Sequence, residues 1–94
     1  MIDFNTVRNM PRSEQALLSV YSYLSLRPKV RLIKIECEPI DHTICVRVFY
    51  TNTKTEKPTV HSYNFFRNYE TDLAEGFANQ LCREFDIELT NNPV

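Results

Sequence analysis

A chain of 94 residues holds one domain and no more. Its 43% hydrophobic and 24% charged residues are a globular composition and not that of a disordered chain, and no apolar run approaches the roughly 18 residues needed to cross a bilayer. The net charge of −1 argues against a general polyanion binder, yet it is unevenly placed: residues 1–67 carry ten Lys/Arg against six Asp/Glu, and residues 68–94 carry Arg83 against six acids.

Residues 1–10 are a lead-in, where "DFNTV" suits either a short strand or an irregular segment. Pro11 suits the first turn of a helix, where a missing amide hydrogen costs nothing, and Glu14 sits near the positive helix end. Leu17, Val20, Tyr21 and Leu24 then repeat at the spacing of one apolar helix face, and Pro28 closes the helix at Arg27. A first strand follows from about Lys29 to Glu38, then a connection at Pro39-Ile40-Asp41-His42. In "TICVRVFYT", Ile44, Val46, Val48 and Tyr50 face one way while Cys45, Arg47 and Phe49 face the other. The polar "TNTKTEKP" is a hairpin loop, and the third strand covers about Thr59 to Phe66. Asn68 is a candidate N-cap for a second helix with Glu70 and Asp72 in its first turn. Leu73, Ala74, Phe77, Ala78, Leu81 and Phe85 form its continuous apolar stripe, and residues 90–94 read as a frayed tail.

The expected fold is therefore α+β: α-β-β-β-α, a three-stranded antiparallel meander with two helices packed on one face, in a single domain over 1–94. Placing each hairpin symmetrically about its loop sets Ile35 opposite Val46 and Ile33 opposite Val48, with Val46 and Val48 facing Tyr63 and His61. The outer face then holds one row of Leu32, Phe49 and Val60, a second of Lys34, Arg47 and Ser62, and a third of Glu36, Cys45 and Asn64.

Chemistry is poorly marked. The only glycine is Gly76, so the glycine-rich loops that cradle nucleotide phosphates and the glycine-flanked nucleophile elbow are missing, and no cofactor is expected. Cys37, His42 and Cys45 bracket the first turn, but their spacing is wide for a structural zinc site and the two thiols point to opposite sheet faces; small apolar cysteines explain them as well. Neither histidine has a marked thiol partner, and Glu70, Asp72 and Glu75 read as a solvated helix face, so no catalytic residue is assigned. An odd count of three cysteines without a secretory pattern points to free thiols in a reducing, cytoplasmic setting. Tyr63, Phe65 and Phe66 beside Arg67 have the look of a base-stacking strand, but core aromatics in a strand explain them more simply.

The α-β-β-β-α order is similar to that of the double-stranded-RNA-binding domain, and the turn "EPIDHTICVRV" resembles that family's proline- and histidine-containing loop into its second strand, over roughly Pro11 to Phe85. The resemblance implies a second helix that opens with phosphate-gripping lysines. This chain has "NYETDLAEG" there instead, with Glu70, Asp72 and Glu75, which implies a scaffold kept for protein contacts. His42 carries over only as a loop residue.

The leading expectation is a non-enzymatic protein-interaction module, an adaptor or inhibitor, that binds a protein partner or itself through the outer sheet face at Leu32, Lys34, Arg47, Phe49 and Val60. The alternative is nucleic-acid binding through the basic stretch Arg27, Lys29, Arg31 and Lys34.

Overall fold

A computed structural model describes residues 11–91, so the lead-in and the last three residues of the expected tail lie outside the described residues. Helix α1 (Arg12–Leu26) starts where Pro11, in extended geometry at the N-cap, offers its carbonyl to the amides of Glu14 and Gln15 at 3.0 and 3.1 Å. Pro11 thus stands one residue outside the helix. Arg27 leaves the helix at φ −131° and ψ 79°, the extended conformation that a following proline imposes.

Three long strands follow: β1 (Val30–Ile40), β2 (Thr43–Asn52) and β3 (Pro58–Phe66). The first turn is only Asp41-His42, with Asp41 at φ 53°, a left-handed conformation that aspartate tolerates better than most residues. The second is organised by Asn52, whose side-chain oxygen accepts from the amides of Lys54 and Thr55. Thr53 donates its amide and hydroxyl to the Lys29 carbonyl at 2.7 and 2.9 Å, which ties the hairpin tip to the start of β1.

Helix α2 (Thr71–Phe85) begins two residues later than a cap at Asn68 would start it. Glu70 holds the N-cap position instead; its carboxylate accepts the Phe66 amide at 2.9 Å and pairs with Arg12 at 3.5 Å, so it belongs to the packing between elements and not to a solvated face. Asp86, at φ 53°, ends the helix, and a short strand β4 (Leu89–Asn91) follows. The expected three-stranded antiparallel sheet is therefore a four-stranded mixed sheet in the order β3-β2-β1-β4, with β4 parallel to β1. Residues 90 and 91 of the expected frayed tail are ladder residues opposite Glu36 and Cys37. Because β4 runs in the direction of β3, α2 is a crossover that spans the sheet and contacts all four strands.

The predicted stripes of both helices enter one core. Val20 of α1 and Ala74, Phe77, Ala78 and Leu81 of α2 are buried with Ile35, Val46, Val48, Tyr50 and Phe65 of the sheet, and Leu17, Tyr21, Leu24, Leu73 and Phe85 pack around them. Both helices thus cover the same sheet face.

Register decides what the other face carries. Val46 lies opposite Tyr63 and Val48 opposite His61, as symmetry about the hairpin predicts. Between β1 and β2 the partners differ by two: Ile35 opposes Val48 and Cys37 opposes Val46, because the turn is two residues long and not four. A shift of two preserves facing. A bulge between Leu32 and Lys34 does not. Leu32 and Ile35 stand three apart, so strict alternation would bury only one of them. The extra residue lets both turn inward, and Leu32 is 7% exposed while Ile33 is 48% exposed. Leu32 is therefore a core residue and is withdrawn from the outer face. Burying a leucine contributes about 1.5–3 kcal/mol, which offsets the ladder bonding lost at the bulge.

Candidate interaction surface on the outer sheet face

With Leu32 gone, the outer rows are Lys34, Phe49 and Val60; Glu36, Arg47 and Ser62; and Glu38, Cys45 and Asn64. Alternation places Ile40, Thr43 and Phe66 in a further row, and Ile33 at the bulge adds to the first. Of the predicted contact residues, Lys34, Arg47, Phe49 and Val60 share this face. Ile33, Ile40 and Phe66 belong to it as well and escaped sequence reasoning. The one signal for the first was the adjacent pair Leu32-Ile33 inside a strand, which strict alternation cannot bury together.

The charges form a zigzag. Lys34 Nζ lies 2.6 Å from Glu36 Oε2 and 5.3 Å from the centre of the Phe49 ring. Arg47 Nη1 donates to Glu38 Oε2 at 2.7 Å and stands 3.7 Å from Glu36 Oε1. Two cations and two carboxylates thus lock one another across β1 and β2 and leave the flanking apolar side chains open. Ile33, Ile40, Val60 and Phe66, each between 39% and 48% exposed, are four of the six exposed large hydrophobic residues among those described. Phe66 is partly sheltered, with Tyr69 stacked at 5.2 Å and the Arg12 guanidinium 5.2 Å from its ring centre.

The basic stretch is divided. Arg27 lies over the Tyr23 ring at 4.2 Å and joins Lys29 at a cleft near the end of α1. Arg31 is exposed in the row of Thr51, and Lys34 is engaged with Glu36. Among the strand aromatics, Tyr63 and Phe65 pack on Phe77 at 5.2 and 5.9 Å, as core residues do.

The cysteine and histidine positions do not converge. Cys37 turns into the core and Cys45 to the outer face, His42 is exposed in the turn, and among the described residues no three His, Cys, Asp or Glu side chains approach closely enough to hold a metal ion. Burial pushes the thiols of Cys37 and Cys82 above the usual range, and the neighbouring Glu75 adds to the effect at Cys37. That is the reverse of an activated nucleophile. Among the described residues no helix is long and apolar enough to cross a membrane.

Comparison with protein-family models, with curated proteins and with solved structures gives no match.

Proposed function

We propose that this chain is a small non-enzymatic interaction module that pairs with a second copy of itself through the outer sheet face, so as to present an adaptor or inhibitor in dimeric form. The observation that carries the reading is the concentration of Ile33, Ile40, Val60 and Phe66 on the sheet side opposite both helices. A second copy suits this face because its central charges, Lys34 and Arg47 against Glu36 and Glu38, sum to zero and alternate in sign. A two-fold mate meets such a pattern without net repulsion. Three strands abreast at about 4.8 Å, the shortest of nine residues at about 3.3 Å per residue, offer a patch of about 30 by 14 Å. That is at or below the lower end of stable interfaces, so the expected dimer is weak, with a dissociation constant in the micromolar range.

A double-stranded-RNA-binding relationship has less support: Lys34 is neutralised by Glu36, and the start of α2 offers Asp72 and Glu75 where that family needs cations. Three free cysteines favour a reducing, cytoplasmic compartment.

The test is sedimentation equilibrium over a concentration series. The wild type is expected to approach twice its 11.1 kDa monomer mass, and Phe49→Asp, placed centrally in the patch, should stay monomeric with an unchanged circular dichroism spectrum. A wild type that remains monomeric into the millimolar range, or a Phe49→Asp variant that dimerises equally well, would refute the proposal.

A further inference from the structure

The fold gathers a second group of residues that the sequence keeps apart. Where α1 ends, Arg27, Pro28, Lys29 and Val30 meet Tyr23 of the helix and Lys57 of the β2–β3 turn around a cleft of about 560 Å³. That volume is within the range of about 300–1,000 Å³ typical of small-molecule sites. The cleft has apolar walls in Val30, Pro28 and the half-buried Tyr23 ring, which packs on the fully buried Tyr50, and a cationic rim of Arg27, Lys29 and Lys57. No carboxylate lines it, and none of the three cations forms an ion pair with a described residue.

Arg27 and Lys29 have a simple structural role, since cations just past a helix end offset the negative pole of its dipole. Lys57 has none of this kind. It arrives from the far side of the β2–β3 hairpin, and the bonds from Thr53 to the Lys29 carbonyl hold that hairpin in place. Arg27 is also held, by its stack on Tyr23, and Tyr23 in turn lies 4.6 Å from the Tyr50 ring and 4.5 Å from that of His61. Three like charges around one concavity repel each other until an anion enters, and a rigid guanidinium presents the planar donor fork that suits a phosphate.

We infer that this cleft binds a small phosphate ester with an apolar or aromatic body, its phosphate on Arg27, Lys29 and Lys57 and its body over Val30, Pro28 and Tyr23. The site is separate from the proposed dimer face and does not depend on it.

The probe is adenosine monophosphate, titrated into the isotope-labelled full chain at low ionic strength and followed by amide NMR shifts. Saturable shifts confined to residues 23–30 and 50–59 are expected, with inorganic phosphate moving the Arg27 and Lys57 regions at lower affinity. Arg27→Ala should weaken binding about tenfold and Lys57→Ala severalfold, while Phe49→Asp binds as the wild type does; a tenfold loss corresponds to about 1.4 kcal/mol. Arg27 and Lys57 are exposed, so neither substitution removes core packing. Absence of saturable shifts, or unchanged affinity in both alanine variants, overturns the inference. It is equally overturned if a single-stranded oligonucleotide binds far more tightly than the monophosphate with shifts that extend to Arg31 and Lys34, because the cleft is then part of a polymer-binding surface.

Discussion

Replacing Leu32 and Ile33 by alanine, one at a time, tests the feature on which the outer face depends. The two are neighbours of similar volume, and only the bulge decides that the first is 7% exposed and the second 48%. Truncating a buried leucine removes its transfer free energy and leaves a cavity, for a cost of about 2–5 kcal/mol. Leu32 retains slight exposure and stands near the end of the sheet, which places Leu32→Ala toward the lower end, about 2–3 kcal/mol. Ile33→Ala removes a half-exposed side chain and should cost under about 1 kcal/mol. A domain of this length has about 5–14 kcal/mol of stability in total, so both variants remain folded and measurable. With a urea slope of about 1–1.5 kcal/mol per molar, Leu32→Ala should lower the unfolding midpoint by about 2 M and Ile33→Ala by well under 1 M. Equal losses, or a larger loss at Ile33, would refute the bulge and return Leu32 to the outer face.

Two further outcomes follow from particular contacts. Burial raises the pKa of the Cys37 thiol and, more strongly, that of the Tyr50 phenol above their unfolded values near 9 and 10, so the folded state keeps protons that the unfolded chain releases. Their stabilising contribution is complete below pH 9 and is lost as pH rises above that. Thermal melts should therefore show a steady fall from about pH 9 upward, shallower in Cys37→Ala than in the wild type relative to each protein's neutral value; a flat profile to pH 11 would contradict the burial argument. Truncation after Ile87 removes β4 and bares the β1 edge at Ile35, Glu36 and Cys37, so light scattering on heating should begin at a lower temperature and depend more steeply on concentration. Unaltered melting and scattering would mean that β4 contributes nothing.

Much of the architecture was legible in the order of hydrophobic periods. The stripe from Leu73 to Phe85 and the alternation through Ile44, Val46, Val48 and Tyr50 each bury a face whatever lies opposite, so local pattern is enough to read them. The β2–β3 register was legible because Asn52 and the polar residues after it mark the turn. The β1–β2 register was not: Pro39 and Ile40 look like turn residues, and only pairing with Thr43 and Ile44 makes them strand. Asn68 failed as a cap because Glu70 serves Arg12 and the Phe66 amide, partners distant in sequence or outside the helix. Three residues, Leu89–Asn91, are too few to show any period.

The candidate surfaces divide along the same line. Alternation alone places Arg47 with Phe49, because side chains two apart on a strand share a face, and the pairing of the neighbouring strands brings Val60 and Lys34 to the same side. That Leu32 turns inward while Ile33 takes its place outside is a tertiary decision, made because two helices offer apolar cover to Leu32 and Ile35 at once. The meeting of Arg27 and Lys29 with Lys57 is another, since charges some thirty residues apart become neighbours only when a hairpin folds back onto the end of a helix. Sequence by itself determined the periods, and through them the elements and their inner faces, because these follow from backbone geometry residue by residue. Tertiary structure decided the bulge, the fourth strand and the charge cluster, because each depends on which distant surface is available to bury or oppose a side chain.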